Sequence, residues 1–151
     1  MLLSADDDEN DTFFIQRASA QFAEVFALRQ VADGRLAIDY LEGRDAFADR
    51  SRFPLPALLI LDLKMPRATG IDVVRWVRER DALRDLPVVM LTSSSRGEDI
   101  ALAQQAGADA YFTKPSRPQE LGQLLDRLLP ALSGQRACLS SLPNNLLIEN
   151  H

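Results

Sequence analysis

Asp62 ends the apolar run Ala57–Leu61, and Pro66 and Gly70 break the chain soon after it. A carboxylate in that place stands where a buried strand delivers its last side chain to a sheet edge. Three other groups occupy comparable positions. Asp6, Asp7 and Asp8 follow the short run Leu2–Ala5, Thr92 and Ser93 follow Pro87–Leu91, and Lys114 comes just after Ala110–Phe112. Several carboxylates on one rim repel each other unless a cation sits among them, and a hard oxygen cage with few protein ligands suits Mg²⁺. Asp62 could then ligate the ion and act as a nucleophile toward a phosphoryl group. The charge of an acyl phosphate would be offset by the Lys114 cation and a hydrogen bond from the Thr92 hydroxyl. Ser93 is small enough not to obstruct the incoming phosphorus.

Plainer readings stand beside these. Asp62 could cap the turn before a helix, and the acidic triplet could be a solvated helix start favoured by the macrodipole. Lys114 could be a surface lysine before a proline turn, and Tyr111 a core aromatic. One serine of Thr92–Ser95 is expected to cap the helix that follows. Trp76 and Met90 read as packing, Cys138 as inert, and the terminal His151 as outside any site. The chemical reading gains its weight from order, because the groups fall at the ends of successive strands.

The elements that must position them alternate along the chain. Apolar runs at Leu2–Ala5, Phe26–Val31, Ala57–Leu61, Pro87–Leu91 and Ala110–Phe112 predict strands; the third and fourth are continuous, as in strands covered on both faces. Between and after them lie helical periods: Ile15, Ala18, Phe22 and Phe26; Leu36, Ala37, Tyr40 and Leu41; Ile71, Val74 and Val77; Glu98 to Ala106, ended by Gly107; and Leu121, Leu124, Leu125 and Leu128. Five βα units imply an α/β fold, a parallel sheet with helices on both faces and right-handed crossovers. Sites in such sheets form at the carboxyl ends of the strands, beside the topological switch point. Two segments lie outside the repeat: the polar link Gly43–Pro56, and a tail from Gly134 to His151. The tail leucines Leu139, Leu142, Leu146 and Leu147, with Ile148, could dock on a neighbouring surface or belong to a frayed end.

Composition narrows the function classes. The chain has 151 residues, is 46% apolar and carries a formal net charge of −5, which fits one domain with a core. No stretch gathers Lys and Arg into a nucleic-acid-binding patch. The one cysteine excludes an internal disulfide and supplies no metal cluster. No apolar run approaches the ~20 residues needed to cross a bilayer, and no signal peptide is evident, so a cytoplasmic protein without membrane contact is expected.

The motifs SADDDEND, LILDLKMPRATG, VVMLTSSS and GADAYFTKP together resemble the receiver domain of two-component response regulators, a CheY-like family, and in particular the single-domain type paired with phytochrome kinases. The resemblance covers about Leu2 to Leu132. It implies a doubly wound, flavodoxin-like (βα)5 fold with strand order 2-1-3-4-5, a receiver domain over residues 1–132, and a tail over 133–151 with no domain of its own. It implies a phosphoryl group passed from a histidine kinase or histidine phosphotransfer protein to Asp62. Asp7 and Asp6 would bind Mg²⁺ with Asp62 and the backbone carbonyl of Lys64. Thr92 would be the switch hydroxyl, Tyr111 the switch aromatic that turns into the space Thr92 leaves, and Lys114 the phosphate-binding lysine, followed by a cis bond to Pro115. The triplet leaves two registers, Asp6-Asp7 and Asp7-Asp8; counting to Ile15 as the first inward helix position favours the former.

Departures from the family pattern carry expectations of their own. The first strand is short and holds Ser4-Ala5, so loose edge packing is expected of it. Thr69 replaces the common Asp before Gly70. Lys64, two residues after Asp62, is a candidate for tuning hydrolysis. With no room left for a second domain, output is expected as protein–protein contact through the fourth helix, fifth strand and fifth helix, toward a downstream target or a second copy in a homodimer. The chain is not expected to be an enzyme. A dehalogenase-type phosphotransferase would want an acid where Lys64 stands, and an interaction module that has lost phosphorylation is the remaining alternative.

Overall fold

The computed structural model describes residues 1–149. Five parallel strands, β1 (Leu2–Ala5), β2 (Leu28–Val31), β3 (Leu58–Leu61), β4 (Val88–Thr92) and β5 (Ala110–Thr113), form one sheet in the order β2-β1-β3-β4-β5. They alternate with α1 (Glu9–Ser19), α2 (Gly34–Glu42), α3 (Gly70–Arg78), α4 (Gly97–Ala106) and α5 (Pro118–Leu132). A last short helix, α6 (Leu146–Glu149), follows a 3₁₀ segment at Arg136–Ser141. The sheet divides the core in two. One face packs with α2, α3 and α4 through Leu59, Leu61, Val74 and Tyr111, and the other with α1 and α5 through Ile60, Leu91, Ile15 and Leu125.

The expectation of loose packing at β1 is corrected. This strand lies between β2 and β3, pairs with both, and all four of its residues are buried. Small side chains at Ser4 and Ala5 suit a strand covered on both faces. The second strand begins two residues later than periodicity suggests, because Phe26 is used in the preceding turn, where it stacks on Phe22 at 5.7 Å.

The link Gly43–Pro56 is held by Arg50. Its guanidinium donates to the carbonyls of Tyr40, Leu41 and Phe53 at 2.7–3.2 Å. The carbonyls of Tyr40 and Leu41 lie in the last turn of α2, past the end of its i→i+4 ladder; Tyr40 O also accepts from the Gly43 N–H at 3.2 Å. Phe47 and Phe53 close over Tyr40 at ring distances of 5.1 and 6.0 Å.

The tail is docked. Leu139 is fully buried against α5 and its neighbours, and Leu147 joins the cluster that holds Tyr111. Asn145, 1% exposed, accepts from the Tyr111 N–H through Oδ1 at 3.0 Å and donates through Nδ2 to Leu139 O at 3.0 Å and, at the 3.5 Å limit, to Asp109 O. One side-chain amide thus occupies the outer edge of β5 as a paired strand would. The side chain of Ile148, and His151, lie outside the residues described.

Candidate functional site

The strand register brings the chemical groups to one rim. Asp62 leaves β3 with its N–H donated to Ala5 O, and Asp6 leaves β1 with its N–H donated to Val31 O. Lys114 leaves β5 with its N–H donated to Thr92 O at 2.8 Å. The backbone itself therefore ties the ends of adjacent strands together. Gly70 is required beside them: a Cβ there would lie 2.3 Å from the Asp62 carbonyl oxygen and 2.7 Å from Met90 Cε. Its missing side chain lets α3 begin against the backbone of Asp62. Thr69 caps that helix in a capping box with Asp72, which gives this residue a structural purpose of its own.

Lys114 Nζ stands 3.1 Å from Asp62 Oδ2, 2.9 Å from Asp6 Oδ2 and 2.6 Å from Asp11 Oδ2. Three N–H donors thus meet three carboxylates. Burial alone would depress the ammonium's pKa, but hydrogen bonds to Asp11 and Asp6 and the charge of Asp62 outweigh it and raise it. Asp6 is pushed up to about 6, chiefly by burial, with the nearby Asp62 charge adding to the effect and Lys114 opposing it. Asp62 Oδ1 accepts from the Leu63 N–H at 2.7 Å.

Asp6, Asp7 and Asp62 present carboxylate oxygens within 4.8 Å of one another. Asp6 and Asp62 are buried and Asp7 is exposed. This all-oxygen, acid-rich donor set fits a hard divalent cation such as Mg²⁺. Asp8 turns elsewhere: it is the N-cap of α1, accepting from the N–H groups of Asn10 and Asp11. The Lys64 side chain is exposed.

Thr92 is buried at the end of β4, and its Oγ1 accepts from Ser94 N–H at 3.4 Å. Tyr111 is fully buried and donates its hydroxyl to Ser94 O at 2.9 Å. The aromatic ring is therefore already inward, whereas the sequence reading has it move inward only as Thr92 shifts. The Ser94 carbonyl rewards the buried hydroxyl, and burial raises the phenol's pKa.

Two further expectations are corrected. No cis peptide occurs among the described residues, so Lys114–Pro115 is trans. The trans form is the lower in energy by about 0.5–1 kcal/mol for X–Pro bonds, and the loop reaches α5 with it. No serine caps α4; its N-cap is Arg96, without a side-chain bond, while the Ser94 hydroxyl is engaged by Asp99 at 2.5 Å.

Asp11 is the rim residue that strand-end reasoning missed. The signal lay in helical spacing: four residues before the inward Ile15, it sits on the same stripe of α1, one turn nearer the rim.

Residues 2–126 match the family model described as the response regulator receiver domain. The chain is 27% identical over 128 residues to the probable methanogenesis regulatory protein FilR2 of Methanothrix harundinacea, covering 85% of this chain and 80% of that one. It is 38% identical over 80 residues to the phosphate regulon transcriptional regulatory protein PhoB of Escherichia coli; that match covers 53% of this chain and about a third of PhoB, 35%. Among solved structures it resembles response regulator RPA3017 in red light signaling of R. palustris, with a TM-score of 0.77 and 35% identity over 84% of this chain and 89% of that one. It also resembles the phosphorylated cyanobacterial phytochrome response regulator RcpA, with a TM-score of 0.75 and 25% identity over 94% and 95% of the two chains.

Proposed function

Because this chain belongs to the response regulator receiver family of two-component signalling, we propose that it accepts a phosphoryl group on Asp62 from a histidine kinase or histidine phosphotransfer protein. The observation that carries this reading is the pairing of Asp62 with Lys114 at 3.1 Å inside an acidic rim. An Asp62 carboxylate oxygen attacks the phosphorus of a phosphohistidine. The O–P bond forms as the P–N bond breaks, and the electron pair of the broken bond returns to the imidazole nitrogen. Lys114 offsets charge on the phosphoryl oxygens, and the Thr92 hydroxyl donates a hydrogen bond to one of them. A Mg²⁺ ion held by Asp6, Asp7, Asp62 and the Lys64 carbonyl would neutralise the rim and polarise the phosphoryl group.

Signalling then follows as a population shift. The acyl phosphate carries roughly −1.5 to −2 charges where the carboxylate carried one, and draws Thr92 toward it. That favours the inward Tyr111 and the arrangement of the β4–α4 loop that accepts its hydroxyl. The face formed by α4, β5 and α5 carries the change to a downstream protein or a second copy of the chain. Part of that face is overlaid by α6 and Asn145, so partners meet a composite of receiver and tail. The receiver comprises residues 1–132, and residues 133–151 are an appendage to it rather than a domain. The proposed role is that of a signalling protein rather than an enzyme with turnover, and it requires neither nucleic acid nor membrane. The setting proposed for it is the cytoplasm; among the described residues no helix is long and apolar enough to cross a membrane.

Incubation with Mg²⁺ and phosphoramidate, followed by intact mass measurement, tests the proposal. A gain of one phosphoryl group, absent in Asp62→Asn, supports it. No gain in the parent, or an equal gain in the variant, removes it.

A further inference from the structure

Of the three carboxylates on Lys114, two belong to the acidic cluster that fits a divalent ion and one does not. Asp6 and Asp62 share their oxygens with that cluster. What they offer the ammonium changes when a cation is bound or when Asp62 carries a phosphoryl group. Asp11 stands outside the cluster and makes the shortest of the three contacts, 2.6 Å, from a side chain 31% exposed. Its backbone is fixed, because its N–H is donated to the Asp8 cap in the first turn of α1. Lys114 approaches from the opposite side, with its own N–H on Thr92 O. The contact joins residues 103 positions apart and spans from α1 to the end of β5.

We infer that Asp11 is a positioning residue for Lys114: its carboxylate keeps the ammonium at the rim while Asp6 and Asp62 are engaged by the reaction. The inference rests on the receiver reading and adds to it a fourth acid whose carboxylate, among the described residues, is partnered by the lysine. A lysine stem with four rotatable bonds otherwise gains entropy by swinging into water. An effect of opposite sign competes, since the negative charge of Asp11 itself disfavours an incoming phosphoryl dianion. The tether dominates because the hydrogen bond is short, charge-assisted and partly shielded from water.

The test is the rate of phosphorylation by phosphoramidate at saturating Mg²⁺ and fixed pH, followed by intact mass. Parent, Asp11→Ala, Asp11→Asn, Lys114→Ala and the double variant Asp11→Ala with Lys114→Ala are compared, each checked for native circular dichroism. Asp11→Ala slows the reaction about tenfold, the loss expected for one hydrogen bond to a charged group. Asp11→Asn, which keeps an acceptor of the same shape, loses less. In the Lys114→Ala background Asp11→Ala causes no further slowing, because the two side chains act as one unit. An Asp11→Ala rate equal to or above the parent's overturns the inference, as does equal slowing with and without Lys114 or equal losses for the Ala and Asn variants. A parent that gains no mass at all overturns the receiver reading, and this inference falls with it.

Discussion

Replacing Asn145 by alanine should release the tail while the receiver stays folded. In the structure its Oδ1 serves the N–H groups of Tyr111 and Leu147, and its Nδ2 serves Leu139 O. Leaving one buried N–H without a partner costs about 1–3 kcal/mol, and each further hydrogen bond contributes about 0.5–1.5 kcal/mol. The summed loss is therefore about 2–6 kcal/mol. Against it stands the burial of Leu139 and Leu147, about 1.5–3 kcal/mol each before the entropy of ordering the segment is subtracted. That entropy consumes most of the gain, so a loss of about 2–6 kcal/mol is enough to undock residues 136–149. The core does not depend on them: β5 keeps its pairing with β4 through all four register positions. Native-state hydrogen exchange reads the effect at the Tyr111 amide. Its protection should fall by at least about 30-fold, the equivalent of about 2 kcal/mol, while amides of β1 and β3 keep theirs. Unchanged protection at Tyr111 would refute the reasoning, and so would equal loss of protection in β1 and β3, which would mean that tail and core unfold as one unit.

Gly70→Ala should destabilise the protein by at least about 1–3 kcal/mol in urea titration, since backbone at 2.3 Å cannot yield as a flexible side chain would. Arg78→Ala should cost about 1.5–3 kcal/mol by the same measurement, because its guanidinium joins Asp109 to the carbonyls of Gly107, Arg84 and Leu86, while Asp109 itself keeps Arg136 and the Val88 N–H. Arg67→Ala should cost no more than about 1 kcal/mol despite a two-nitrogen contact with Asp33, because Arg67 is 56% exposed. In metal-free protein, Asp6 holds its proton up to about pH 6 when folded but only to about 3.8 when unfolded. The folded state then binds more protons between those values, so stability should fall as pH rises from about 4 to about 6. Thermal melts across that range check the sign; a rising melting temperature would contradict the burial argument.

The five βα units were legible because a strand buried on both faces is continuous in apolar residues, while each helix repeats them at 3–4. Asp62, Thr92 and Lys114 stood out because each comes directly after such a run or one residue beyond it. Residues whose partners lie far away in sequence gave weaker signals. Asp11 reads as an ordinary first-turn acid until its helical phase is compared with Ile15. Arg50 and Arg78 look like solvated arginines, yet each satisfies carbonyls where an ordered helix or loop ends. Asn145 sits among Pro, Asn and Leu without periodicity, and its worth comes wholly from the β5 edge it meets. Tyr111 was recognised, but its rotamer follows from Ser94 O, a backbone acceptor no pattern encodes.

The most direct measurement places the phosphoryl group on one residue. An acyl phosphate is reduced by borohydride to the corresponding alcohol, whereas a phosphate ester on Ser, Thr or Tyr is not. After treatment with phosphoramidate and Mg²⁺, reduction and digestion, the peptide spanning residue 62 should contain homoserine at that position, while the N-terminal peptide keeps aspartate at positions 6, 7 and 11. Homoserine at another aspartate, or none in a protein that has gained phosphoryl mass, would contradict the assignment of Asp62 as the acceptor.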